Sequence, residues 1–133
     1  MKRNALCLLL VSLALICLSI PALAHHSFAA AFDSEKPITV KGVLTEIRLE
    51  NPHSWFFVEA RDANGKVEKW AFEAGTPSGM IRNGFKPGTI KAGTEVTVKG
   101  IHARDVSQNM GLLREIVTAD GRTFTTFGTQ GDR

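Results

Sequence analysis

Cysteine is missing from most of this sequence. The only two, Cys7 and Cys17, lie in an apolar stretch near the N-terminus. Everything after that stretch can form neither a structural disulfide nor a thiolate metal site, and it has no thiol nucleophile. An excess of one charge is missing too. No run of Lys or Arg occurs, and with Lys2 and Arg3 set aside the basic and acidic side chains number 14 against 13. That balance argues against a nucleic-acid partner, whose phosphates call for a basic patch. Long apolar runs are scarce: Ala5 to Ile20 is the one such segment, and it falls short of the roughly 20 residues that a membrane-spanning helix needs. Ser27, Ser34, Ser54, Ser78 and Ser107 all lack the strand–turn–helix elbow of a serine nucleophile. No catalytic constellation emerges, and the sequence points away from an enzyme.

The N-terminal segment reads as an export signal. Lys2 and Arg3 precede the apolar run, Pro21 ends it, and Ala22-Leu23-Ala24 supplies the small residues of a cleavage site. Cleavage is expected after Ala24, which gives a periplasmic protein with no membrane span. Lipid attachment at Cys17 is disfavoured by the bulky Ile16 before it. His25 to Arg133 suffices for one self-supporting core and is too short for two ordinary domains. The expected organisation is a leader over 1–24, an N-terminal arm over 25–36, one domain over 37–128 and a frayed tail over 129–133.

Within that domain the pattern is strand, turn, strand. The strands predicted are Ile38–Leu49, Ser54–Arg61, Val67–Glu73, Glu95–Arg104, Leu112–Thr118 and a short closing Thr123–Phe127. Asn64-Gly65 marks a hairpin. Gly42 and Gly100 interrupt the alternation as bulges would. Thr76 followed by Pro77, with Asn83-Gly84 downstream, predicts a short helix between the third and fourth strands. Five strands with one helix at that place fit an all-β, antiparallel barrel of the oligonucleotide/oligosaccharide-binding kind. An open sandwich fits the periodicity as well.

The chemistry lies in the histidines. After the expected cleavage, His25 becomes the first residue, and its α-amine and imidazole together can chelate one metal ion. Such nitrogen donors favour Cu(II) among the common divalent metals. His26 offers a second route through the amine, a deprotonated amide and its own ring. Asn51-Pro52 sets a turn that places His53 on the loop between the first two strands, where it is the candidate third ligand. Each has a plainer reading: His25 and His26 as polar residues of a flexible arm, His53 as an exposed turn residue. His102 in the fourth strand is expected to be a packed residue more than a ligand. Met80 and Met110 are soft donors for Cu(I), though more readily explained as packing. Asn51, Trp55, Trp70 and His102 make up the expected ligand face if the barrel binds a peptide, a glycan or a partner enzyme. Core packing competes with that role for the aromatics.

Two motifs carry a family resemblance. His25-His26-Ser27-Phe28 follows the leader, and Asn51-Pro52-His53-Ser54-Trp55 follows the first strand. With Phe32-Asp33, the Gly42 strand and Gly100 to Ile116, they resemble the small exported bacterial family of unknown function DUF6152. The resemblance covers essentially the whole segment after the leader. It implies export and a small β-barrel, and transfers no catalytic role. The expected function is therefore periplasmic metal binding, with copper favoured, at His25, His26 and His53. The alternative is a metal-free binding or accessory module that recognises a peptide, glycan or periplasmic partner through its barrel face.

Overall fold

A computed structural model describes residues 30–126 of the chain. Six strands and one short helix occur there in the order β1 Phe32–Arg48, β2 Trp55–Arg61, β3 Val67–Glu73, α1 Pro77–Arg82, β4 Glu95–Ala103, β5 Met110–Thr118 and β6 Thr123–Thr125. β1 pairs with both β2 and β4, β2 with β3, and β4 with β5, all antiparallel. A parallel pairing of β3 with β5, Ala71–Glu73 against Met110–Leu112, joins the two ends into a ring, while β6 extends β5. The fold is all-β with one short helix between the third and fourth strands, as the sequence predicts. Among the described residues no helix is long and apolar enough to cross a membrane.

The helix forms where its caps dictate. Thr76 Oγ1 accepts from the Gly79 N–H at 3.1 Å, and Pro77 occupies the first turn, where a backbone N–H has no partner in any helix. Gly84, at φ 91°, carries the chain out of the helix in a conformation that costs other residues more. Met80 is the residue α1 buries. The following Phe85 packs edge-on against both Phe56 and Phe124. These apolar side chains join Leu44, Val58, Phe72, Val98, Leu113 and Ile116 in the ring's interior. Burying one such side chain contributes roughly 1.5–3 kcal/mol.

β1 differs from its sequence reading in two ways. It begins at Phe32 rather than Ile38, so Phe32–Lys36 belongs to the strand and not to an arm. Between Phe32 and Pro37 the ladder to β4 loses register, and Asp-Ser-Glu-Lys-Pro hid the strand because charge and Pro resemble a loop. The second difference is phase. The alternation breaks at Thr45, which bulges between the pairs Leu44–Val58 and Glu46–Phe57. Leu44 faces inward and is fully buried, while Val43 faces out at 37% exposure. Gly42 has a different task from a bulge. A side chain there would collide with the Glu59 carbonyl oxygen of β2, so the glycine permits close approach. Gly100 is not the bulge either: between the pairs Lys99–Glu115 and Gly100–Leu113 the extra residue is Arg114 of β5, and the glycine makes room for the Leu112 carbonyl, which a Cβ would meet.

Candidate functional site around His53

The β2–β3 hairpin sets the site. Asp62 Oδ1 accepts the N–H groups of Asn64 and Lys66, and Gly65 takes φ 80° in the turn. From that turn the pairs run back as Phe57–Ala71, Phe56–Phe72 and Trp55–Glu73. The ladder continues one step past β2. Ser54 N–H donates to the Gly75 carbonyl at 3.0 Å, and Ala74 N–H to the Ser54 carbonyl at 2.8 Å. Because successive residues alternate sides, Ser54, Phe56 and Val58 face the interior, whereas His53, Trp55 and Phe57 lie on the outer face. Glu73, paired with Trp55, is on that outer face as well.

This register brings His53 to Glu73. The imidazole Nδ1 lies 2.6 Å from Glu73 Oε1, with the two side chains only 29% and 15% exposed. A carboxylate only accepts, so Nδ1 carries the proton; in the neutral ring Nε2 then holds the lone pair. Carboxylate–histidine pairs of this kind orient metal-binding imidazoles. The same geometry serves a ring that exchanges protons with a ligand. Glu73 is the participant that sequence reasoning missed.

On the interior side of the turn, Ser54 is fully buried, and its hydroxyl has no hydrogen-bond partner among the described residues. On the outer face, Arg48 donates to both carboxylate oxygens of Glu46, at 2.6 and 3.0 Å. Those hydrogen bonds hold the Glu46 carboxyl below its ordinary pKa and raise that of Arg48. The Arg48 guanidinium carbon lies 4.6 Å from the Phe57 ring centre, a cation–π contact.

The remaining sequence candidates fall in different places. His25 and His26 lie outside the described residues. Asn51 is exposed at the start of the turn, joined to Pro52 by a cis peptide. Trp70 shares its strand face with the buried Phe72, against which it stacks at 5.8 Å. His102 meets Trp70 edge-on at 5.4 Å, and its Nδ1 donates to the Ala103 carbonyl at 2.9 Å. Asn51, Trp55, Trp70 and His102 therefore do not form one ligand face. Trp55 is on the outer side of the sheet, and Trp70, with His102 against it, is on the inner side, because Trp70 lies three positions from the outward-facing Glu73. Met80 is a core residue, and Met110 sits half-buried beside Ala71. Among the described residues, no three His, Cys, Asp or Glu side chains come together as a metal site.

No curated protein and no solved structure matches this chain. A family model does match, over residues 13–113, taking in the Asn51–Trp55 turn, Glu73 and most of the ring. The chain belongs to the family of unknown function DUF6152.

Proposed function

We propose that this is a periplasmic metal-binding protein, with copper as its favoured ion, that stores, delivers or buffers the metal without turning over a substrate. The observation that carries the reading is the 2.6 Å contact between His53 Nδ1 and Glu73. It supplies one imidazole oriented by a carboxylate, as metal-binding histidines are. The His25 amine and ring, with His26, are the ligands that would complete a nitrogen-rich set, the kind that binds Cu(II) most tightly among the divalent first-row ions.

The test is copper titration of protein that begins at His25, produced by natural export and verified by intact mass, with electron paramagnetic resonance on the product. The expected result is one tight equivalent with a multi-nitrogen type 2 spectrum. His25→Ala, His53→Ala and an extra residue ahead of His25 should each weaken it. Micromolar binding that survives both alanine substitutions would sink the proposal.

Trp55 and Trp70 give this test an internal reporter, because they occupy opposite sides of the sheet. Copper held at His53 should quench Trp55 more than Trp70. Trp70→Phe should therefore keep the quenching, and Trp55→Phe should lose most of it.

A further inference from the structure

Away from the His53 turn, a groove of about 470 Å³ crosses the outer face of β1, β2 and β3. Its origin is legible in the register. Ala71 stands directly opposite Phe57 and offers only a methyl group on that face. On the other side, Thr45 bulges from the β1–β2 ladder, its hydroxyl donating to the Phe57 carbonyl at 3.2 Å. Thr45 and Glu46 line the groove from β1, and Glu59 and Lys69 form the next cross-strand pair beyond Phe57 and Ala71.

We infer that this groove binds a neutral saccharide. This goes beyond the metal reading and does not depend on it. Charge makes the first selection. Glu46 is matched by the two-pronged contact of Arg48, and Glu59 by Lys69 at 3.8 Å. Opposite charges thus cancel along the walls, so neither a polyanion nor a polycation gains a net electrostatic pull. With those charges matched, the lining that remains is Thr45, the Phe57 ring, which carries the Arg48 guanidinium at 4.6 Å, the Ala71 methyl group, Val58 and Trp70.

A sugar ring complements that arrangement. It has faces of C–H groups that pack on an apolar floor, and a rim of hydroxyl donors. Neighbouring hydroxyls match the paired oxygens of a carboxylate, and hydrogen bonds to an ionised acceptor are the stronger kind. Each carboxylate already has its cation, so covering it with an uncharged ligand strands no lone charge. The volume lies within the range of small-molecule sites, roughly 300–1,000 Å³. Phe57, Glu59, Lys69 and Ala71 stand at paired positions of β2 and β3, so the backbone of the floor is set before a ligand arrives.

The experiment uses the full exported chain, stripped of metal with a chelator. Its backbone amide NMR signals are followed during titration with maltotetraose, cellotetraose and triacetylchitotriose as neutral probes, and with polygalacturonate as the anionic one. The expected result is a shift of Glu46, Phe57, Glu59 and Ala71 signals by at least one neutral probe. Affinity should fall about tenfold or more in Phe57→Ala and in Ala71→Trp, which fills the groove. His53→Ala should leave it unchanged, which separates this outcome from the fate of the metal site. Wild-type shifts localise the ligand even if a variant fails to fold. No shift by any neutral probe at millimolar concentration overturns the inference, as do shifts that map elsewhere or equal binding of polygalacturonate.

Discussion

The described residues contain two histidines near strand ends, and the sheet gives them opposite surroundings. His53 lies on the outer face, held by the Glu73 carboxylate. His102 lies on the inner side against the edge of the Trp70 ring, with Nδ1 bound to a backbone carbonyl. The residue type is the same and the difference is parity: Glu73 and Trp70 lie three positions apart on β3, hence on opposite faces, so one histidine meets a carboxylate and the other an indole. A histidine's chemistry in a small barrel is therefore decided by the face it lands on and the cross-strand partner it meets, before any question of solvent exposure. The outer one is held by an acid. The inner one is packing.

The largest contrast between the two sides should appear in stability. Phe72→Ala removes a fully buried ring beneath Trp70 and is expected to cost about 3–5 kcal/mol. Trp55→Ala, on the outer face, should cost less than half as much. Urea denaturation of the two variants measures both, and equal losses would erase the distinction between the faces.

Copper affinity should sharpen it next. Glu73→Gln is expected to weaken binding about 10–100-fold by loosening the His53 ring, while His102→Ala leaves binding unchanged. Isothermal calorimetry would show the comparison to be false if the two variants behaved alike.

Smaller still is the effect at Ser54, where the chain crosses from one face to the other. Its buried hydroxyl lacks a partner among the described residues, so Ser54→Ala should stabilise the fold by up to about 1 kcal/mol, visible in the denaturation midpoint. A loss of stability would mean the hydroxyl makes a bond after all.

The smallest effect belongs to the turn before β6. There the Thr118 hydroxyl, followed by Arg122, holds the Asp120 carboxyl below its ordinary pKa of 3.8. A depressed carboxyl contributes stability above the unfolded value and loses it as pH falls through the folded one. Asp120→Asn should therefore lower the melting temperature slightly at neutral pH. That difference should begin to shrink as pH drops below about 3.8 and vanish only once it has passed the lower, folded value. Melting curves across that range check it.

Much of this architecture was legible in the residues. β3 has the predicted bounds, Val67–Glu73, because Asn64-Gly65 fixes one end and Gly75 follows the other. Thr76 and Pro77 announce the helix. β1 was harder, since Gly42 looks like the point where alternation breaks while the bulge is at Thr45, a residue with ordinary strand propensity. Nothing local distinguishes a threonine that bulges from one that pairs; the partner strand decides. The same limit hid Glu73. It is far from His53 in sequence and looks like one more surface acid. Yet counting outward from the Asp62–Lys66 turn, one residue per strand at a time, sets Trp55 opposite Glu73 and places His53 diagonally beside it. The signal was present in hairpin arithmetic rather than in any motif. That same count would have assigned Trp55 and Trp70 to different faces.

The ring is fastened by the short parallel pairing between Ala71–Glu73 and Met110–Leu112. These segments are separated by the helix and all of β4, so the clasp cannot close until the later strand has been laid down and found its place. Closure of so long a loop for so few hydrogen bonds is a late and entropically expensive event in folding. The β2–β3 hairpin, with its local turn, needs no such wait. Glu73 belongs to both: its strand is made early in the hairpin and finished last at the clasp. The carboxylate that meets His53 thus sits on the one strand shared by the hairpin and the clasp, so the histidine's surroundings border the seam where the ring closes.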